Sequence, residues 1–110
     1  MSEIARKDGK DTVSSPDGGG ISDPNKPECK IPSTQATDKG SSTVFINGIG
    51  VVRDGDAMKQ HNGPDCSTHA PTLSSFSSTV FANSKGVGRK GDKYGDDHEI
   101  SSGSNNVFAG

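Results

Sequence analysis

Five side chains in the 110-residue chain carry metal-ligand chemistry: His61, His69, His98, Cys29 and Cys66. Three imidazoles and one thiolate can fill a tetrahedral shell of the kind Zn²⁺ favours. With all four positions taken by protein, such a site would be structural and would leave no place for a substrate. Cys66-Ser67-Thr68-His69 has the two-residue spacing of a metal knuckle, and His61 lies five residues upstream of Cys66. One short stretch therefore offers three ligands, and His98 completes the set His61, Cys66, His69 and His98. One zinc ion is the expected cofactor, with iron also able to accept this shell. Cys29 is the competing thiolate, and local chelation favours Cys66. The two cysteines could instead form a disulfide in an oxidising setting, but a protein made in the cytosol more often uses cysteine for metal, so metal is placed first. Asp96 and Asp97, beside His98, either orient an imidazole or stand as exposed acids.

Positioning these groups is the task of an internal repeat. Ser42-Thr43-Val44-Phe45-Ile46-Asn47 returns as Ser78-Thr79-Val80-Phe81-Ala82-Asn83, and Gly50 to Asp56 returns as Gly86 to Asp92, both at an offset of 36. Ten of the fifteen positions from Ser42 to Asp56 are identical at that offset. Asn106-Val107-Phe108-Ala109 restates the Val-Phe half, and Ala5-Arg6-Lys7-Asp8-Gly9 resembles the Arg half with its last two residues transposed. Three copies of each half, beginning with an Arg half and ending with a Val-Phe half, describe a ring of three units cut inside one of them. The final strand is then expected to pair beside the first segment.

Each unit reads as a short β-hairpin. Thr43 to Ile46 and Thr79 to Ala82 are β-branched and aromatic, and Asn47-Gly48 tolerates the positive φ of a tight turn. Arg53 with Asp56, and Arg89 with Asp92, suggest ion pairing and turn chemistry. Between the hairpins lie three connections: Lys10 to Ser41, Ala57 to Ser77 and Lys93 to Gly103. All five His and Cys fall in them, so closing the ring would gather them at one end, and by threefold logic Cys29 would let every connection contribute. The first connection is overlong, and its Ser14-Ser15-Pro16-Asp17-Gly18-Gly19-Gly20 and Pro24-Asn25-Lys26-Pro27 runs predict irregular, mobile backbone over residues 10–41, with the repeat region at 42–110.

Composition excludes most alternatives. Ile, Leu, Val and Phe make up 18 of 110 residues, there is one Leu and no Trp, and Ser and Gly number 16 and 15. Such a chain cannot build the large core of a helical or α/β domain. One all-β domain over residues 1–110, with long irregular loops, little or no helix and a pseudo-threefold body, is the expected fold, and a metal would be the missing staple. Twelve Lys and Arg are scattered among fourteen acids, giving a net charge of −2 with no basic run, so nucleic acid is not an expected partner. No apolar run approaches a membrane span of about 18 residues, and the N-terminus lacks a Sec-type signal peptide. Too few large apolar residues remain to line a pocket, and no Walker pattern is present; neither an enzyme nor a small-molecule substrate is expected.

The motifs together resemble PAAR-repeat proteins. The resemblance rests on Val44-Phe45-Ile46-Asn47-Gly48 followed by Arg53-Asp54-Gly55-Asp56, the second copy from Val80 to Asp92, His69-Ala70-Pro71 before Leu73-Ser74, and the ending Asn106-Val107-Phe108-Ala109-Gly110. It spans roughly residues 40–110. What it implies is a small conical β-structure that caps the trimeric β-helical spike of a contractile phage tail or type VI secretion system and sharpens it for piercing the target cell envelope. It also implies one copy per trimer and a metal near the point, carried onto His61, His69, His98 and Cys66. The chain departs from the family where the Pro-Ala-Ala-Arg stretch is Ile49-Gly50-Val51-Val52-Arg53, and where Asp96-Asp97 replaces an expected Gly-Cys. Since the sequence stops just after the last strand motif, a place at the tip of a virion tail is expected ahead of a secreted effector carrier. The other class of function is a free-standing, small metal-binding or disulfide-stapled extracellular module.

Overall fold

A computed structural model describes residues 2–21 and 28–110. It is all-β, with no helix among the described residues. The strands in chain order are β1 (Ser2–Glu3), β2 (Thr12–Ile21), β3 (Glu28–Ala36), β4 (Phe45–Ile46), β5 (Ile49–Gly50), β6 (His61–Asn62), β7 (Thr68–His69), β8 (Phe81–Ala82), β9 (Lys85–Gly86), β10 (Lys93–Tyr94), β11 (His98–Ile100) and β12 (Phe108–Ala109).

They form two tiers of three antiparallel pairs. The lower tier is β4–β5, β8–β9 and β1–β12; the upper is β6–β7 with β2–β3 and β10–β11, the last two joined by β11–β2 pairing into one four-stranded sheet. The third lower pair joins the two ends of the chain, with Ser2 opposite Ala109 and Glu3 opposite Phe108. In the first two the turns are Asn47-Gly48, at φ 54° and 78°, and Asn83-Ser84, at 53° and 66°. Two successive positive φ values match the twist of a two-residue hairpin, which is why Asn and Gly stand there.

A cyclic set of backbone bonds holds the tier together. Ala5 N–H donates to Gly88 O (2.9 Å), Gly88 N–H to Val52 O (2.8 Å) and Val52 N–H to Ala5 O (3.0 Å). Around it the same pattern recurs from Lys7 to Gly50, Asp54 to Gly86 and Lys90 to Glu3. Gly88 has no room for a side chain there: a Cβ on it would lie 2.9 Å from Leu73, 3.2 Å from Ile100 and 3.3 Å from Val52. Three buried serines repeat as well. Ser41, Ser77 and Ser104 each accept from the backbone N–H groups two and three residues ahead, starting the Val-Phe strand that follows.

Three arginines, each gripping an aspartate, complete the repeat. Arg53 reaches both oxygens of Asp56 (2.9 and 3.1 Å) and Arg89 both of Asp92 (2.8 and 2.9 Å). Arg6 does the same with Asp11 (2.9 and 3.1 Å). The third acid is thus Asp11 and not Asp8, because the first copy carries a longer turn in which Asp8 and Gly9 take φ 59° and 74°. Hydrogen bonding to the aspartate raises each guanidinium pKa further, outweighing the loss of solvation.

The apolar residues divide between the tiers. Ile4, Val51, Ala82, Val87 and Ala109 are buried together in one cluster, and Ala5, Val13, Val52, Met58, Leu73, Tyr94 and Ile100 in another. Phe45, Phe81 and Phe108 remain 55, 58 and 43% exposed.

The expectation of irregular backbone over residues 10–41 is corrected. β2 and β3 form the longest hairpin of the molecule, joined through β11 and β10 into a four-stranded sheet. Residues 22–27, which hold the Pro24-Asn25-Lys26-Pro27 run, lie outside the described residues. Burial along β2 alternates through Asp11, Val13, Ser15 and Asp17, a strand period written mostly in polar residues. The Gly and Pro that suggested irregularity sit at register shifts between Ser15 and Ile21, where a bulge accommodates them.

Candidate metal centre

Each upper hairpin delivers part of one cluster. β6–β7 places His61 directly opposite His69, so both imidazoles stand on one face. A tight turn with Gly63 N–H bonded to Ser67 O (2.7 Å) joins them, and Asp65 accepts from Ser67 within it. β11 begins with His98, opposite Tyr94, after Asp96 and Asp97 adopt φ 58° and 60°; short polar residues tolerate this left-handed region. β2 supplies Asp17, followed by Gly18 at φ 86°. A Cβ on Gly18 would come within 3.1 Å of the His61 ring, so the glycine permits both the bend and the approach.

Asp17, His61, His69 and His98 bring one ligand atom each to within 4.8 Å of one another. His61 Nε2 lies 2.9 Å from Asp17 Oδ1, 2.9 Å from His98 Nε2 and 2.9 Å from His69 Nε2. The Nε2 atoms of His69 and His98 are each 3.3 Å from Asp17 Oδ1. A tetrahedron with ligands about 2.0–2.1 Å from its centre has edges of about 3.3 Å; two of these separations match that edge and three are shorter, so the donors are close enough to share one ion of that size. The side chains of His98, Asp17 and His61 are 0, 2 and 5% exposed, and that of His69 22%.

Protonation follows from the other ring nitrogens. His61 Nδ1 is 2.9 Å from Lys59 O and His98 Nδ1 is 2.9 Å from Gly95 O. A carbonyl only accepts, so both Nδ1 atoms carry the hydrogen. His69 Nδ1 faces Asp96 Oδ2 at 3.4 Å, which favours the same tautomer. In the neutral rings, all three Nε2 lone pairs therefore point at one another and at a carboxylate with no donor between them. A bound cation relieves that arrangement, as does a proton on one of the Nε2 atoms. Asp17 is further fixed by the Ser15 hydroxyl, which donates to its Oδ1 at 2.9 Å, while its buried Oδ2 has no hydrogen-bond partner. Burial pushes the Asp17 pKa up, but the Ser15 bond and the neighbouring His98 and His69 together hold it below the ordinary carboxylate value.

The structure brings together His61, His69 and His98, and it corrects Cys66. Cys66 is joined to Cys29 in a disulfide with the Cα atoms 5.2 Å apart, so neither sulfur is a thiolate ligand and metal did not take precedence over the disulfide. Cys66 occupies the turn at φ 66°, whereas His69 lies beyond it on β7; the Cys-x-x-His spacing does not close on one ion here. Asp17 takes the fourth place. It was read as part of an irregular loop, and the cue that could have found it was Gly18-Gly19-Gly20 within a strand, a mark of close backbone approach. Asp96 stands beside His69 rather than His98, and its side chain is 71% exposed.

Among known proteins, no family matches the chain and no curated sequence is similar to it.

Proposed function

We propose that this chain is a PAAR-like spike tip: a structural protein, not an enzyme, that caps a trimeric β-helical spike, one copy per trimer, at the point that meets the target cell envelope. The observation that carries the reading is the threefold lower tier, where Phe45, Phe81 and Phe108 stand exposed at equivalent positions of three short hairpins. A single chain with three matching edges can seat on a threefold partner without a symmetry mismatch, and exposed aromatics supply the apolar contact. At the opposite tier one metal ion, zinc by the donor set of three imidazoles and one carboxylate, would be held by Asp17, His61, His69 and His98. A bound ion there would link β2, β6–β7 and β11 through one shared set of ligands. A virion tail tip is the favoured setting, with a type VI spike as the alternative.

The test is co-expression with a trimeric β-helical spike protein, followed by sedimentation and mass analysis. A complex of one chain per trimer is expected, and replacing all three phenylalanines by serine should abolish it while the melting temperature stays. A soluble monomer that binds no such spike would overturn the reading. That result would favour the second one, a free-standing extracellular module, for which the Cys29–Cys66 disulfide is the specific support.

A further inference from the structure

We infer that the Cys29–Cys66 disulfide is a redox lock on the metal centre: it closes the Asp17 hairpin against the histidine hairpin and governs how fast the ion can leave. The inference rests on the metal reading of the upper tier. Asp17 and Cys29 belong to the same hairpin, β2–β3; His61, His69 and Cys66 belong to β6–β7 and its turn. These hairpins lie in different sheets. Among the described residues their backbones are hydrogen-bonded only at the root, where Lys59 N–H donates to Ala36 O and Thr37 faces Met58. Cys29 lies seven residues farther along β3 than Ala36, a span of about 23 Å for extended chain. Out there the two hairpins are tied by the disulfide and by what Asp17 shares with His61 and His69.

A cleft of about 610 Å³ opens at the same place, lined by Pro16, Asp17, Lys30, Pro64, Asp96 and Asp97. Lys30 adjoins Cys29 and Pro64 lies two residues before Cys66, so the cleft that reaches Asp17 is walled by chain neighbours of both cysteines. With the bond closed, the walls cannot part. With two thiols in its place, the distal hydrogen bonds left between the two hairpins among the described residues are those of the ligand itself, and departure of Asp17 opens the shell.

The chemistry balances by thiol–disulfide exchange. Two thiols give up two protons and two electrons and form one S–S bond, while a disulfide oxidant such as oxidised glutathione takes both up and becomes two thiols. Metal can therefore enter the reduced protein quickly and be trapped on oxidation.

The experiment loads the oxidised and the dithiothreitol-reduced protein with Zn²⁺ and follows transfer to an excess of a chromophoric chelator after removing the reductant under nitrogen. Release from the reduced form is expected to be about tenfold faster or more, in line with the effect of groups that support metal ligands. The Cys29→Ser/Cys66→Ser variant should match the reduced protein, and Asp17→Asn should erase most of the difference between redox states. Equal release rates, or slower release from the reduced form, overturn the lock while leaving the metal reading intact. No Zn²⁺ bound in either state overturns the metal reading and the lock with it.

Discussion

The two tiers solve one problem by opposite means. In the lower tier a repeated sequence builds the same hairpin three times, each with its own local Arg–Asp pair, and the parts are joined by backbone bonds and a shared apolar cluster. In the upper tier the three hairpins differ in length and sequence: two of them share one four-stranded sheet, Val13, Tyr94 and Ile100 belong to one apolar cluster, and one carboxylate, three imidazoles and a disulfide are added as cross-links between the hairpins. Symmetry lets small residues suffice below, because each contact is made three times. Once symmetry is abandoned, cross-links must replace it, and a chain with so little apolar content has few other means.

The comparison can be broken most severely in the upper tier. His98→Ala removes a fully buried ligand; the melting temperature of the zinc-loaded protein should fall by at least about 10 °C, since structural zinc contributes on the order of 10 kcal/mol and each kcal/mol shifts a domain of this size by about 4 °C or more. A chelator titration by calorimetry should move the parent protein down and leave the variant unchanged. An equal response of both would remove the metal from the account of the upper tier.

A smaller loss is expected in the lower tier. Gly88→Val would press on Leu73, Ile100 and Val52 at the centre of the ring, costing about 1–3 kcal/mol by overpacking, without changing zinc content. Denaturant midpoints and metal analysis check both halves of the expectation. If zinc is lost as well, the tiers are not separable.

Acid should distinguish them next. The carboxyl of Asp17 has a folded-state pKa below its ordinary 3.8, so in metal-free protein its contribution is present above that value and fades as pH falls through the lower, folded one. Asp17→Asn should therefore flatten the acid limb of metal-free stability measured from pH 5 downward. A parallel acid limb in the variant would show that the carboxylate does not hold the hairpins together in the absence of metal.

The smallest effect concerns Tyr94, whose buried hydroxyl has no hydrogen-bond partner. Burial, with the negative charges of Asp56, Asp11 and Asp38 adding to it, raises its pKa far above 10. Since the unfolded chain ionises near pH 10 and the folded one does not, this group's stability contribution is lost as pH rises past that point. Tyr94→Phe should be neutral or stabilising by up to about 1 kcal/mol at pH 7 and should blunt alkaline unfolding followed by circular dichroism. Marked destabilisation at pH 7 would mean that the hydroxyl is satisfied in solution.

What could be read from the residues follows the same division. The offset of 36 exposed the lower tier, its hairpin turns and the pairing of the two ends, because repeated geometry demands repeated residue types. The three histidines were legible because imidazole is rare in this chain and confined to the connections. Asp17 was not, since aspartate is abundant and a strand whose buried face reads Asp-Val-Ser-Asp has no apolar period. The disulfide ranks behind metal in the sequence for a related reason: Cys-x-x-His is a local pattern, whereas Cys29 and Cys66 are brought together only by the packing of two hairpins that local residue types do not reveal.

The pairing of β1 with β12 has one more consequence. Because Ser2 lies across from Ala109, the break in the chain is a seam in a closed circuit, placed where the other two units have an Asn-turn. A circular permutant with the old ends joined by a short Gly linker and new ends opened at Asn83-Ser84 would keep every pair of both tiers. Which unit is interrupted is then arbitrary for the architecture, and the seam can be moved around the axis.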